Sequence, residues 1–367
     1  MSLLQEGQII RGTYEIERLL GEGAFAEVYR VKHRFLGRQA MKVFKMVGMT
    51  VKEIEQLLEE AVMLSRLGHP NIVRVFDANV TDTSRGMCGF FTMEHVAGGS
   101  LDQFWRSHGA RYVPVETTVE ILRQVCRGLS LAHQEQPPIV HRDLKPQNIL
   151  VGYDGAGVRV RVSDFGLAKR VNPLTLLASA KGTRAFKAPE VFDNPQSDSC
   201  AGDVWALGTM LYLLLTDDLP YPDTGIAKSR AGGRFERPIV VPSRRNLQAD
   251  PMLDRIVLCA LAMDPAERYL TAQEMLAELE SWSPTATSES KVAKSHIGTE
   301  SKMALGEHSP ADEDAARDMV AQAITLAQQA GNLLEAADLM EEACNRWPGL
   351  REKHAYRLQL WRRGIVM

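Results

Sequence analysis

The sequence predicts an α+β protein with a small strand-rich lobe, a larger helical lobe and a small all-α module at the C-terminal end. Three observations carry this. Residues 14–45 alternate apolar and polar side chains between turn breaks, the two-residue period of half-buried strands. Residues 50–67, and then the chain from Leu101 onward, follow the 3.6-residue period of helices. The stretch Ser283–Ser309 is rich in Ser, Thr, Lys and Glu and poor in large apolar residues, which predicts a flexible linker.

Taken in order, residues 1–13 form an N-terminal extension. Gly21-Glu22-Gly23-Ala24-Phe25-Ala26-Glu27-Val28 then sits between two strand-like runs. Its two glycines let backbone N–H groups approach phosphate closely, although a Gly-x-Gly loop alone reads equally as a hairpin turn. Lys42 ends the run Ala40-Met41-Lys42 among apolar neighbours, where an unpaired ammonium is costly, so it requires an anion. The predicted helix over 50–67 puts Ile54, Leu57, Leu58, Ala61, Leu64 and Leu67 on one face and stops at Gly68-His69-Pro70-Asn71. Among its carboxylates, Glu53, Glu59 and Glu60 are the candidate partners of Lys42. Two more strand-like runs follow, Ile72–Asp77 and Gly89–His95, before helical period takes over. Beyond the linker, Asp312–Arg363 is helical again and separately amphipathic.

Composition narrows the classes. Apolar residues make up 45% and charged residues 24% of the 367, the profile of a soluble globular protein. A net charge of −3 gives no bulk electrostatic support for nucleic-acid binding. Five scattered cysteines, without paired metal-ligand spacing, read as reduced thiols and imply a cytoplasmic location. The N-terminus has no basic segment followed by a long apolar core, and the longest apolar stretches, such as 210–215, are far too short to span a membrane.

The chemistry is concentrated in His141-Arg142-Asp143-Leu144-Lys145-Pro146-Gln147-Asn148 and the later Asp164-Phe165-Gly166. Asp143 is suited to orient a hydroxyl and accept its proton. Asn148 and Asp164 offer hard oxygen ligands that suit magnesium beside nucleotide phosphates. Lys145 can neutralise charge on a phosphoryl group in transfer. His141 could act as a base or ligand, but no other His-Cys-carboxylate cluster has metal-ligand spacing, so a backbone-bracing role fits it better.

Together these motifs resemble the eukaryotic-type (Hanks-type) Ser/Thr protein kinase family over roughly residues 14–282. The resemblance implies the bilobal protein-kinase fold: a small antiparallel β-sheet lobe with one helix, and a large helical lobe. It implies an ATP site in which Gly21 and Gly23 approach the phosphates and Val28, Ala40 and Leu150 sandwich the adenine. Met93 is then the gatekeeper, with Glu94-His95-Val96 as the hinge. The family spacing Glu60–Leu64–Leu67–His69–Pro70–Asn71 favours Glu60 as the partner of Lys42. The implied catalytic set is Asp143, Lys145, Lys42 and Glu60, with Asn148 and Asp164 holding Mg2+, or alternatively Mn2+. Lys145-Pro146 resembles the Ser/Thr class rather than tyrosine kinases.

Between Leu167 and Lys187, Thr175 and Ser179 are candidate phosphosites, whereas Thr183 falls where the family threonine contacts the catalytic Asp and Lys. Arg142 often pairs with a phosphate there in the family. Glu190 is expected to pair with Arg268, and Asp203 to brace the catalytic-loop backbone. The sequence departs from the family at Ala26, the usual third glycine, and at Arg184 and Phe186, where Pro and Tyr are usual, so no consensus substrate follows.

In the tail, Gly331, Ala336, Ala343 and Pro348 fall at tetratricopeptide-like offsets, while Val320, Ala323 and Ile324 replace that repeat's large residues. A plain helical hairpin fits equally well. One repeat cannot bury its own face, so the tail is expected to dock on the kinase domain, self-associate or hold a partner protein. The expected organisation is 1–13, 14–282, a linker at 283–310 and a helical module at 311–367. The expected function is phosphoryl transfer from ATP to Ser/Thr hydroxyls of protein substrates, with autophosphorylation. The rival readings are a pseudokinase scaffold and a small-molecule kinase of related fold.

Overall fold

The computed structural model describes residues 2–23, 25–45, 58, 66–109, 112–154, 157–165, 183–194, 196–221, 235, 237–284, 310–327, 333–347, 350, 354, 357–358 and 361. The chain divides into two compact units, Met1–His95 with Ser163–Ser179, and Val96–Val162 with Ala180–Met367.

The first unit is built on strands β1 (Ile9–Ile10), β2 (Tyr14–Glu22), β3 (Ala26–His33), β4 (Gly37–Phe44), β5 (Val75–Thr83) and β6 (Gly86–Glu94). They form one antiparallel sheet in the order β1-β2-β3-β4-β6-β5. Alternation sends Ile16, Tyr29, Val31, Met41, Val43 and Phe90 to one face, where they close a core with Leu3, Leu4 and Ile10 of the N-terminal extension. The strand expected at Ile72–Asp77 lies further along, at Val75–Thr83. Its polar half, Asp77–Thr83, lacks an apolar run and is held instead by pairing with β6, from Val75↔Met93 to Thr83↔Gly86. The helix expected over 50–67 lies outside the described residues, except at Leu58 and Arg66, which are helical, and at Leu67, which is buried but already past the helix.

The second unit contains α1 (Leu101–Arg106), α2 (Val115–Gln134), α3 (Pro189–Asp193), α4 (Cys200–Thr216), α5 (Pro251–Ala260), α6 (Ala272–Ser281), α7 (Pro310–Ala327) and α8 (Leu333–Arg346). Side-chain oxygens start several of them. Ser100 forms a capping box with Gln103, Ser199 accepts from Gly202 N–H, and Asp250 accepts from Met252 and Leu253 N–H. Helix α4 is buried around almost its whole circumference and forms the centre of this unit. A Cβ at Gly208 would meet the Ala260 Cβ at 2.7 Å, so glycine allows α4 and α5 their close approach. One feature departs from the all-helical expectation after Leu101. Strands β7 (Ile149–Asp154) and β8 (Gly157–Val162) form a hairpin, signalled only by short Val-rich runs around Asp154-Gly155.

Helices α7 and α8 close a core of their own. It contains Ala316, Val320, Ala323, Ala327, Ala336, Ala337, Met340, Ala343 and Cys344, with Leu350, Leu358 and Trp361 from the following segment. Small residues dominate it, so the helices pack closely but bury limited apolar area per residue. At the edge of this buried arc Glu341 is fully covered. A side chain at Gly98 would meet its Oε1 at 2.7 Å and Val151 O at 2.2 Å, so the carboxylate rests against the Gly98-Gly99 strap.

Candidate active site

The catalytic loop is folded by its own charges. The Asp143 carboxylate receives Lys145 Nζ at 2.7 Å and Asn148 Nδ2 at 3.2 Å, and Asn148 Nδ2 also donates to Asp143 O at 2.8 Å. These contacts orient the Asn148 amide so that its donor face is turned to Asp143. Pro146 starts a single 3-10 turn over Pro146–Asn148, which turns the chain into β7. Arg142 has φ 68°, a conformation unusual for a non-glycine residue and typical of constrained sites.

That backbone is held from below by α4. Asp203 is only 2% exposed, and its carboxylate accepts the N–H groups of His141 at 2.7 Å and Arg142 at 2.9 Å. Burial pushes the Asp203 carboxyl up, but the hydrogen bond from His133 and the backbone bond from His141 outweigh it and hold it low. His133 on α2 lies 3.1 Å from Asp203 through Nε2, while its Nδ1 accepts Ala272 N–H at 3.2 Å. That acceptor role requires a lone pair on Nδ1, so Nε2 carries the proton donated to Asp203. His141 is fully buried and accepts Asp143 N–H at Nδ1, 3.3 Å away, a bracing position rather than a ligating one. His133 and Lys187, which donates to Arg142 O, were not legible in the sequence. Ala-His within an amphipathic helix reads as core, and Lys187 has only its place before Ala-Pro-Glu to mark it.

Around the loop, the Arg142 guanidinium lies 3.6 Å from Asp198. Both residues border a small cleft with Asp143, Phe186, Lys187 and Val191. Thr183 opens the 3-10 turn Thr183–Phe186. In that turn Arg184 stands over the Phe192 ring at 5.6 Å, and Phe186 is buried. Glu190, on α3, makes a two-pronged ion pair with Arg268, 2.8 Å on each arm. The Arg268 guanidinium also donates to the carbonyls of Ala201, Ala262 and Met263 and lies 4.9 Å over Trp205. Leu150 bridges Ser100, and Val96 packs over Gly152.

In the first unit, Lys42 on β4 is 5% exposed and pairs with Asp164 at 2.5 Å. Its ammonium also lies 5.7 Å from the Phe91 ring centroid. Asp164, like Arg142, is left-handed, with φ 61°. Glu60 lies outside the described residues, as do Thr175 and Ser179. Val28 pairs with Gly21 and with Lys42, and Ala40 pairs with Met93, so the predicted pocket residues of this unit share four neighbouring strands, β2, β3, β4 and β6, and the glycine turn. Nothing within 4 Å would meet a Cβ at Gly21, and Gly23 N–H closes the tip on Ala26 O at 2.8 Å. Glu94 N–H is engaged by Arg74 O. Burial, with repulsion from Arg30, Arg18 and Arg38, draws the His95 imidazole down to about 4, so it is neutral at physiological pH.

One unit thus carries a carboxylate held beside a lysine and an amide, and the other a buried lysine paired with an aspartate and, separately, a glycine turn. The chain belongs to the protein kinase family: the family description "Protein kinase domain" matches residues 14–279. It is 34% identical over 279 residues to serine/threonine-protein kinase PknB of Mycolicibacterium smegmatis, covering 74% of this chain and 43% of that protein. It is 33% identical over 273 residues to PknB of Mycobacterium tuberculosis, covering 72% and 42%. The chain thus spans under half the length of these curated relatives. Among solved structures, it is similar to the PknI kinase domain of M. tuberculosis, with a TM-score of 0.56, 25% identity and coverage of 76% of this chain and 98% of that one. Among the described residues, no helix is long and apolar enough to cross a membrane.

Proposed function

We propose that this chain is an ATP-dependent protein kinase that transfers the γ-phosphoryl group to Ser or Thr hydroxyls of protein substrates. The observation that carries the reading is the Asp143 carboxylate, oriented by Lys145 and Asn148 on a backbone pinned by Asp203. In this role Asp143 orients the acceptor hydroxyl and takes its proton. Lys145 offsets charge on the phosphoryl group. Lys42 binds the nucleotide phosphates, partnered by Glu60 in the active arrangement. The backbone at Glu94 and Val96 binds the base between Val28, Ala40 and Leu150, with Met93 behind it. Asp164 and the Asn148 oxygen suit Mg2+, or Mn2+, since both are hard oxygen donors. The cation supplies charge neutralisation between the phosphates.

Thr175, Ser179 and the linker hydroxyls are the proposed autophosphorylation sites, and residues 311–367 the proposed protein-contact module. The test is incubation with γ-labelled ATP and Mg2+, alone and with a generic protein substrate, followed by mass mapping. Label on Ser or Thr, lost in Asp143→Asn, is expected. Nucleotide binding without transfer would favour the scaffold reading, and label on a small molecule only would favour a small-molecule kinase.

A further inference from the structure

The return strand of the glycine turn ends in an unusual group. Alternation along β3 sends Val31, Tyr29 and Glu27 to the same face, the one covered by Leu3, Leu4 and Ile10. Two of these three are apolar core residues. The third is a carboxylate, 2% exposed, directly after the turn and paired across the sheet with Glu22. Three donors converge on one of its oxygens, Oε2. Leu3 N–H lies at 2.8 Å, Ser2 Oγ at 3.2 Å, and Tyr29 OH makes a short hydrogen bond. Tyr29 OH in turn accepts Leu4 N–H at 3.0 Å and contacts Ser2 Oγ at 2.7 Å. The same N-terminal segment is fastened at the β5–β6 turn. Ser84 donates from N to Leu3 O and from Oγ to Ser2 O, both at 3.1 Å. Residues 2–4 therefore cross the upper face of the sheet from the stem of the glycine turn to the β5–β6 hairpin, held by side chains at one end and by backbone at the other.

Hydrophobic covering alone does not require this. A leucine at position 27 would continue the apolar row. A buried carboxylate is tolerable only because its hydrogen bonds are made. Burial raises the Glu27 carboxyl, but the bonds from Tyr29, Leu3 and Ser2 outweigh it, so the group is ionised and charge-assisted at neutral pH. On the opposite face Val28 points toward the predicted nucleotide side, so the position of Glu27 fixes the pitch of the strand on which the turn closes.

We propose that Glu27 is a positioning residue for nucleotide binding: with Tyr29 it clasps residues 2–4 and so holds the glycine turn in its phosphate-accepting shape. This rests on the phosphotransferase reading of the turn. In Glu27→Ala the three donors lose their acceptor, and the apparent KM for ATP should rise roughly tenfold while kcat stays within about threefold. Tyr29→Phe, which removes only the hydroxyl, should move KM the same way by a smaller factor. Because the donors converge on one oxygen, the amide oxygen of Glu27→Gln can replace it, and that variant should return KM to within about threefold of the parent. Hydrogen exchange without nucleotide should show faster exchange over residues 19–28 in Glu27→Ala and near-parent exchange in Glu27→Gln. Folded Glu27→Ala with unchanged KM and unchanged exchange in 19–28 overturns the proposal, whatever its loss of melting temperature. Equal impairment of the Gln and Ala variants overturns the hydrogen-bond basis. If the parent chain neither binds nor uses ATP, the phosphotransferase reading fails by itself, and exchange over 19–28 still decides whether the clasp holds the turn.

Discussion

At Asp143, one carboxylate serves two tasks that a substitution can separate. It bonds Lys145 and Asn148, which keeps the loop in shape, and in the proposed reaction it offers an oxygen to the acceptor hydroxyl. Asp143→Asn retains size and an oxygen but loses the base and its charge. Phosphorylation should fall by about a thousandfold or more, with the melting temperature nearly unchanged; calorimetry alongside a peptide-kinase assay checks both. His95 makes a separate, pH-based test. Its folded value lies near 4, against about 6.5 for an ordinary histidine. Between those values the unfolded chain binds the proton and the folded chain does not, so acidification favours unfolding. Stability should fall as pH drops from 7 to 5, by an amount on the order of 1 kcal/mol from this group after allowing for its partial exposure. His95→Gln should flatten that part of the slope in urea titrations at the two pH values. The residues with charged chemistry were legible in the sequence because each sits in a dense local motif. His133 was not, because its meaning comes from Asp203 and Ala272, 70 and 139 residues away.

At the scale of elements, the anchors are few and specific. The Arg268 side chain is fully buried, while its partner Glu190 is partly covered, with 19% of its side chain exposed. Removing one member strands the other, so Arg268→Ala should cost about 3–5 kcal/mol in urea denaturation, far more than loss of an exposed ion pair. Gly208→Val should cost about 1–3 kcal/mol, because the added atoms meet Ala260 and Leu261 rather than solvent. The helical period after Leu101 and the strands β2–β4 within residues 14–45 were readable by period alone, whereas β1 fell in the stretch read as an N-terminal extension. Strand β5 was displaced in the reading because its polar half gains its order from β6. The β7–β8 hairpin was missed because its six-residue strands sit between helical runs, where a short apolar segment carries no distinctive period.

For the whole molecule, the tail poses the clearest question. Helices α7 and α8 have their own core, which argues that the module folds by itself. Glu341 against the Gly98-Gly99 strap argues that it also rests on the large unit. Truncation near Ser283 should leave a folded, ATP-using domain, with the melting temperature lowered by only a few degrees. Thermal melting and a peptide-kinase assay on the shortened chain check this; collapse of both would make the module an integral brace. The Glu341 contact was not legible in the sequence, since a glutamate on a helix flank usually faces solvent.

The Glu190–Arg268 pair also sets a schedule for the newborn chain. The catalytic loop leaves the ribosome roughly 125 residues before Arg268 (268 − 143). At ~5–20 residues per second, that interval is on the order of ten seconds. From the emergence of Glu190, 78 residues before Arg268 (268 − 190), the segment ending in Ala188-Pro189-Glu190 lacks its buried counter-charge. A nascent chain therefore carries Asp143, Asn148 and Asp164 before it carries the arginine that clamps Glu190. Competence arrives as one late event, when residues 262–268 emerge and close over α4.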